Sequence, residues 1–214
     1  MASENRLTAW ETLFRNALRA VDSVGAPVFA PGNWSFGGGT VLMRRYRHRL
    51  SRDVDIFVPD PQYLGYLDPD LNETVEALTP RHLKEANFLR LYFDHGEVDF
   101  IAAAPVTDNA TTVETVLDRE VRVDTSIEIV AKKIRYRGAQ FTARDVFDFA
   151  LVAGKEPKEI SRIKPLLREK RDVILQRLAS GDKILRTTFS ALETLEYRPT
   201  YDQCVEKVKK ALKG

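Results

Sequence analysis

Between residues 4 and 24, apolar side chains return every three or four positions: Leu7, Trp10, Phe14, Ala17, Leu18, Val21 and Val24. A helix repeats every 3.6 residues, so the spacing predicts an amphipathic helix over Glu4–Val24 whose stripe packs into a core. Gly25 and Pro27 supply its stop. After the Pro31-Gly32 break, a short strand is expected over Asn33–Phe36. Gly37-Gly38-Gly39-Thr40 interrupts it, and Thr40–Tyr46 reads as a short helix leaving that turn. Val54–Val58 reads as a second strand, ended by Pro59-Asp60-Pro61. The stretch from Pro61 to Pro80 is turn-rich, with one helix over Asn72–Leu78. Phe88–Phe93 and Glu97–Ala102 flank Asp94-His95-Gly96 and predict a hairpin. A further strand is expected over Glu120–Asp124.

Beyond Asp124 the period becomes helical. Thr125-Ser126-Ile127-Glu128 has the spacing of a capping box and opens a helix over Ile127–Tyr136. Thr142 caps another, through Ala153, closed by Gly154. Three more helical stretches follow at Ile160–Ala179, Lys183–Glu196 and Tyr201–Leu212. Neither an internal repeat nor a low-complexity linker interrupts the pattern. The expected class is α+β: a mixed β-sheet flanked by helices, then a C-terminal helical bundle. The division falls between Pro105 and Thr125 and is drawn at 1–120 and 121–214.

A chain of 214 residues supports one large core or two small ones, and 43% hydrophobic residues exclude a disordered chain. No run reaches the roughly 20 apolar residues of a membrane span. The start, Met1-Ala2-Ser3-Glu4-Asn5-Arg6, lacks the basic and apolar segments of a secretion signal. The single cysteine, Cys204, excludes a disulfide framework and a cysteine-based zinc site. The expectation is a soluble cytoplasmic protein with no membrane partner.

Net charge is only +2, yet charge is segregated along the chain. Arg44, Arg45, Arg47, Arg49 and Arg52 stand without an acid between Val41 and Arg52. From Asp53 to Pro80 the sign reverses completely, and Lys132, Lys133, Arg135, Arg137 and Arg144 form a second basic block. Such blocks are solvated surface, or they attend a polyanion held beside carboxylates and metal ions.

Asp53 and Asp55 are separated by one residue, and on a strand that spacing puts both carboxylates on one face. Hard oxygen ligands of this kind suit Mg²⁺, which shares its shell with phosphates. An Asp-x-Asp alone carries little weight; its neighbour Gly37-Gly38-Gly39-Thr40 carries more. Glycines admit a sharp turn and a close ligand, and the N–H groups opening a helix favour anions. A plain tight turn is the competing reading. Asp99, in the apolar run Val98-Asp99-Phe100-Ile101, needs a partner if buried, whether an ion pair or a metal. As a third metal ligand it would complete a two-metal site with Asp53 and Asp55 and help activate an attacking hydroxyl.

Gly38-Gly39-Thr40 followed by His48-Arg49-Leu50-Ser51-Arg52-Asp53-Val54-Asp55-Ile56-Phe57 resembles the signature of the AbiEii/AbiGii toxin family, within the DNA polymerase β-like nucleotidyltransferase superfamily. Glu128 to Ile134, with Lys132-Lys133, and then Arg144-Asp145-Val146-Phe147-Asp148 resemble that family's Lys and Arg-Asp-x-x-Asp motifs. The resemblance implies a nucleotidyltransferase-type sheet and assigns roles by position. Gly38, Gly39 and Thr40 would cradle the nucleotide phosphates, with Arg49 and Ser51 beside them. Asp53 and Asp55 would bind Mg²⁺, with Mn²⁺ as the alternative. Lys133 would contact the triphosphate, and Asp145 would assist catalysis or nucleotide placement. The competing readings are an exposed helix lysine for Lys133 and a helix-start carboxylate after Thr142 for Asp145. Asp148 has Arg144 as a partner one turn earlier.

The implied activity is transfer of a nucleoside monophosphate from an NTP to a hydroxyl acceptor, RNA or tRNA foremost. The setting would be a toxin–antitoxin or phage-defence pair with an antitoxin protein as partner. Arg44, Arg45 and Arg47, extended by Arg135 and Arg137, offer a path for an anionic acceptor. Two alternatives stay open: the same chemistry on a small molecule such as an antibiotic, and an inactive nucleotide-binding partner protein.

Overall fold

The computed structural model describes residues 6–213. Its first long helix, α1 (Ala9–Val24), buries Trp10, Leu13, Phe14, Ala17, Leu18, Ala20 and Val21 along one face. The expected start at Glu4 lies outside the described residues. Gly25 ends the helix at φ 65°, a left-handed conformation that costs glycine nothing.

Among the described residues, seven strands form one mixed sheet in the order β3-β4-β5-β2-β1-β7-β6. They are β1 (Ser35–Gly37), β2 (Val54–Val58), β3 (His82–Lys84), β4 (Phe88–Phe93), β5 (Gly96–Ala102), β6 (Thr111–Val116) and β7 (Arg119–Asp124). β2 alternates buried Val54, Ile56 and Val58 with half-buried Asp55 and Phe57, the pattern of a strand with one face against a core. It runs antiparallel to β1 and parallel to β5, while β1 runs parallel to β7. α1 packs on β2 and β5, where Trp10, Phe14 and Phe36 join rings at centroid distances of 4.7–6.1 Å. Two short helices, α3 (Gln62–Tyr66) and α4 (Glu73–Leu78), follow β2, and Asn72 caps α4 through its side chain. The expected α+β class is what the structure has.

The chain divides into two compact units. One comprises the chain through Val41, Ser51–Pro105 and Thr111–Asp124, and holds the sheet; the other comprises Leu42–Leu50, Val106–Ala110 and everything from Thr125. α2 (Gly38–Tyr46) contributes to both. The second unit is helical: α5 (Ser126–Arg137), α6 (Ala143–Lys155), α7 (Pro157–Arg162), α8 (Lys164–Ser180), α9 (Asp182–Ser190) and α10 (Tyr201–Lys213). α6 is its central element, packing against α5, α9 and α10. Residues 47–50 belong there because their backbone pairs with residues 193–196, including an Arg49–Thr194 bridge. No described helix is long and apolar enough to cross a membrane.

Several expectations change for local reasons. The stretch Ile160–Ala179 is two helices, because Pro165 occupies the first turn of α8 and breaks continuity at Ile163. The helix expected over Lys183–Glu196 stops at Ser190, since Glu193, Leu195 and Glu196 spend their backbone groups on Arg47–Leu50. Thr125 caps α5, but Glu128 does not close a box: its carboxylate accepts from Val106 N–H (2.9 Å) and from the N–H and hydroxyl of Thr107 (2.8 and 2.7 Å). The reciprocal box stands at Thr142 and Asp145. β6 gave no alternation to read, for Thr112, Val113 and Thr115 all face solvent on an edge strand.

Phe36, fully buried between Trp10 and Phe14, is expected to cost about 3–5 kcal/mol on Phe36→Ala. Urea unfolding checks this; a loss under about 1 kcal/mol would contradict the placement of this ring cluster at the centre of the sheet unit.

Candidate functional site

In the sheet unit, strand register sets four neighbouring positions side by side. Asp99 on β5 pairs with Asp55 on β2, and Asp55 pairs with Gly37 on β1. Phe36 pairs with Val123, so Asp124 follows beside Gly37. Cross-strand partners share a face, which makes Asp99, Asp55 and Asp124 a row of carboxylates interrupted by glycine. The interruption is compulsory. A Cβ at Gly37 would stand 2.5 Å from Asp124 Oδ2 and 2.6 Å from the Phe57 ring. A Cβ at Gly38, whose φ is +73°, would stand 1.8 Å from Asp55 Oδ2. The glycine run is therefore more than a tight turn: it clears the space that the Asp55 carboxylate occupies.

Gly38, Gly39 and Thr40 are buried and form the first turn of α2, whose N–H groups have no partner within their own helix. The Thr40 hydroxyl donates to the Asp53 carbonyl and so ties that turn to the start of β2. Asp53 precedes β2, and its Oδ1 lies 3.4 Å from where a Cβ on Gly96 would be, beside the β4–β5 turn. Ser51 is half-buried in the same unit. Asp99 carries a bidentate ion pair: Arg90 Nε and Nη2 each donate at 2.7 Å, one to each carboxylate oxygen. The ion-pair reading of Asp99 therefore holds in this arrangement.

Among the described residues, three groups whose ligand atoms lie within 4.8 Å of one another are Asp68, Asp70 and His82, a set the sequence did not single out. Lys84 is paired with Asp68, the buried member, so that carboxylate already has a cation. Asp53, Asp55 and Asp99 do not converge to that degree. Their chemistry nonetheless fits a hard divalent ion: carboxylate oxygens on adjacent strands, beside a backbone kept free of side chains.

The helical unit holds a second cluster, built around Asp148. Arg49 donates to both of its oxygens at 2.7 Å, His48 Nε2 lies 2.8 Å from Oδ1, and the Lys133 ammonium donates to Oδ2 at 2.7 Å. Lys133 also donates to Asp145 Oδ1 at 2.8 Å. Asp145 Oδ2 accepts from Thr142 N–H and hydroxyl at 3.0 and 2.8 Å. Asp145 is thus the helix-start partner of Thr142 and also an ion-pair partner of Lys133. Lys133 is mostly buried and doubly paired, unlike an exposed helix lysine. His48, Arg49, Asp145 and Asp148 are all buried. Where Arg144 was the expected partner of Asp148, its close hydrogen bonds come from 15 to 100 residues away.

Burial alone would push Asp148 up; Arg49, Lys133 and the His48 hydrogen bond overcome it and hold the carboxyl well below its usual range. Asp145 is opposed by burial in the same way and lowered by Lys133 and Arg137. Burial pushes the His48 imidazole down, against the pull of Asp148, and Arg49 and Lys133 add to the lowering. His48 is therefore neutral at pH 7, with Nε2–H donating to Asp148 and a buried Nδ1 that has no hydrogen-bond partner among the described residues. The basic blocks are partly committed within the chain: Arg45 reaches Ser126 at 3.5 Å, Arg47 pairs with Glu196 at 2.6 Å and Arg137 with Asp145 at 3.4 Å.

Sequence reasoning missed Arg90, Asp124 and the clamp at Asp148. Arg90 was recoverable from the hairpin, since pairing Phe93 with Gly96 places Arg90 opposite Asp99. Asp124 depends on the β1–β7 crossover, which no local signal reveals.

A sequence model of the family described as nucleotidyl transferase AbiEii toxin, Type IV TA system, matches residues 25–212. No curated protein matches the sequence. Among solved structures, the fold resembles MenT4, a nucleotidyltransferase toxin of Mycobacterium tuberculosis, with TM-score 0.52 and 16% identity over 94% of this chain and 82% of that one. It also resembles the antibiotic-resistance factor ANT(2'')-Ia, with TM-score 0.52 and 16% identity over 81% and 95% of the two chains. At such identities these likenesses show the fold alone.

The charge cluster dictates how stability depends on pH. His48 is lowered on folding, so its contribution is complete above its unfolded pKa of about 6.5 and is lost as pH falls toward the folded value. Asp148 and Asp145 are lowered too, so theirs is complete above about 3.9 and is lost on further acidification. Both slopes have one sign, and stability should decline in two stages. His48→Gln should abolish the stage beginning below about pH 6.5 and keep the later one. Urea midpoints from pH 8 to 3 check this; an unchanged decline between pH 6.5 and 4.5 in the variant would contradict the assignment.

Proposed function

Because the chain belongs to the AbiEii nucleotidyltransferase toxin family and is a nucleotidyltransferase, we propose that it transfers a nucleoside monophosphate from an NTP to a hydroxyl of RNA, tRNA foremost. We infer the biological setting to be the cytoplasm of a bacterium with a toxin–antitoxin or phage-defence pair, where an antitoxin protein holds the enzyme in check. The observation that carries this reading is the pairing of Asp55 with Asp99 beside Gly37 and Gly38, where no side chain has room.

Asp53, Asp55 and Asp99 are the residues that would hold a divalent ion, Mg²⁺ or Mn²⁺. Such an ion, when bound, neutralises triphosphate charge and polarises the α-phosphorus. The N–H groups of Gly38, Gly39 and Thr40 open α2 and suit phosphate oxygens, while the Thr40 hydroxyl keeps that turn in place through Asp53. The acceptor oxygen forms the new bond to the α-phosphorus as the bond to pyrophosphate breaks. Asp99 would help activate that hydroxyl, whose proton passes to solvent as pyrophosphate leaves.

By the family pattern, Lys133 and Arg49 would contact the triphosphate, and Ser51 would shape the turn before Asp53. Asp148 fixes both cations, and Asp145 fixes the lysine further. A pinned ammonium and a pinned guanidinium lose little freedom when an anion arrives, which is how preorganised charge lowers a barrier.

Label transfer tests the reading. The protein is incubated with Mg²⁺, each α-labelled NTP in turn and total RNA, beside Asp53→Ala and Asp55→Ala. Label should enter the tRNA band from one preferred NTP, and each variant should lose at least about a hundredfold. Label on a small hydroxylated molecule or on protein instead would replace the RNA acceptor. Absence of label from every acceptor, with NTP still bound, would overturn catalysis and leave a nucleotide-binding protein.

A further inference from the structure

The carboxylate row continues one strand further than the metal reading uses. Arg90 on β4 is the register partner of Asp99, which is the partner of Asp55, which is the partner of Gly37. Four adjacent strands therefore place Arg90, Asp99, Asp55 and a bare glycine in line, at the roughly 4.8 Å spacing of neighbouring strands. At the end of that line the two guanidinium–carboxylate hydrogen bonds are both 2.7 Å. The third nitrogen, Nη1, stands 3.1 Å from Glu97, two residues before Asp99 on the same face of β5. The guanidinium carbon lies 5.9 Å from the Phe88 ring centroid. Arg90 is thus held by two carboxylates and a ring, with about a third of its side chain exposed.

A planar fork laid on both oxygens covers the edge of a carboxylate where a hard cation would otherwise sit. Asp99 then faces Arg90, and Asp53, Asp55 and Asp99 do not gather their oxygens within 4.8 Å. We propose that Arg90 is a positioning residue: it is the resident counter-ion of Asp99, and the third carboxylate becomes a metal ligand only by exchanging Arg90 for the ion. This inference rests on the metal-site reading given above.

The exchange has a definite cost and a definite use. Without a cation, Asp55 on β2 and Glu97 and Asp99 on β5 would repel one another, with Asp53 beside them, and Arg90 relieves that repulsion. With Arg90 seated on Asp99, a lone divalent ion finds one carboxylate ligand fewer, so binding is weak. A nucleotide that brings phosphate oxygens and its own ion tips the exchange. Arg90 therefore lowers the affinity for free metal and couples the completed site to nucleotide.

The test is Mn²⁺ binding followed by electron paramagnetic resonance on the full chain, without nucleotide, for the intact protein, Arg90→Met, Arg90→Lys and Asp55→Ala. Arg90→Met should bind Mn²⁺ roughly two- to fivefold more tightly than the intact protein, the range expected when one partly exposed ion pair no longer competes. Arg90→Lys keeps the charge but loses the fork, and should fall between the two. If Arg90→Met proves unfolded by circular dichroism, the lysine variant alone carries the comparison, and it should still bind more tightly than the intact protein. Equal or weaker binding in the folded arginine variants overturns the proposal. So does binding by Arg90→Lys equal to the intact protein, because charge without occlusion would then explain everything. Asp55→Ala separates the two ideas: Mn²⁺ binding that survives it refutes the metal site itself, whatever Arg90 does.

Discussion

No side chain can stand at Gly38 while Asp55 keeps its place, or at Gly37 while Asp124 and Phe57 keep theirs, and the row of carboxylates depends on that exclusion. The points where their Cβ atoms would lie are 2.5 Å from Asp124 and 1.8 Å from Asp55. Ordinary residues would push one carboxylate out of the row, and a positive φ at Gly38 adds backbone strain for anything but glycine. What the glycines permit is close approach: β1 carries chain past Asp55 and turns at once into α2, leaving the N–H groups of a helix start beside a strand that bears acids. A nucleotidyltransferase needs that juxtaposition, since a triphosphate wants amide donors and a divalent ion wants carboxylates.

The helical unit solves a different problem. Asp148 has no solvent and takes hydrogen bonds from Arg49, Lys133 and His48. A buried carboxylate with fewer partners would be costly; with these it stays charged, as its lowered pKa requires. The same bonds orient the two cations. Stability and positioning share one set of contacts there, so variants of Asp148 disturb both. By contrast, Asp99 is buried under a single arginine, Arg90, whose side chain is about a third exposed, the pair proposed here to exchange for an ion.

Much of this was legible in the chain because the signals were local. The alternation of β2, the turn of the Phe88–Ala102 hairpin, the glycine run and the Thr142 cap each depend on residues a few positions apart, and each element stands where expected within one or two residues. The Asp-x-Asp, the glycines and Asp99 were picked out for their chemistry, and register then explained how Asp55 and Asp99 become neighbours. What escaped the sequence was long-range. The partners of Asp148 are up to 100 residues away, so the helix rule offered Arg144 instead. Asp124 joins the row only through a parallel pairing with β1 across most of the sheet unit's sequence. Glu128 left its expected capping box because Val106 and Thr107, far upstream, present two N–H groups and a hydroxyl.

On the proposed reading, Asp55, in the space cleared by Gly38, would make nucleotide binding depend on a divalent ion. Calorimetric titration with an NTP analogue that cannot be cleaved between its α- and β-phosphates, with and without Mg²⁺, measures this directly on the intact protein and on Asp55→Asn. Binding should weaken at least about tenfold when Mg²⁺ is withheld, and the variant's binding should no longer respond to Mg²⁺. Equal affinity with and without the ion, or an unchanged Mg²⁺ response in Asp55→Asn, would contradict that reading.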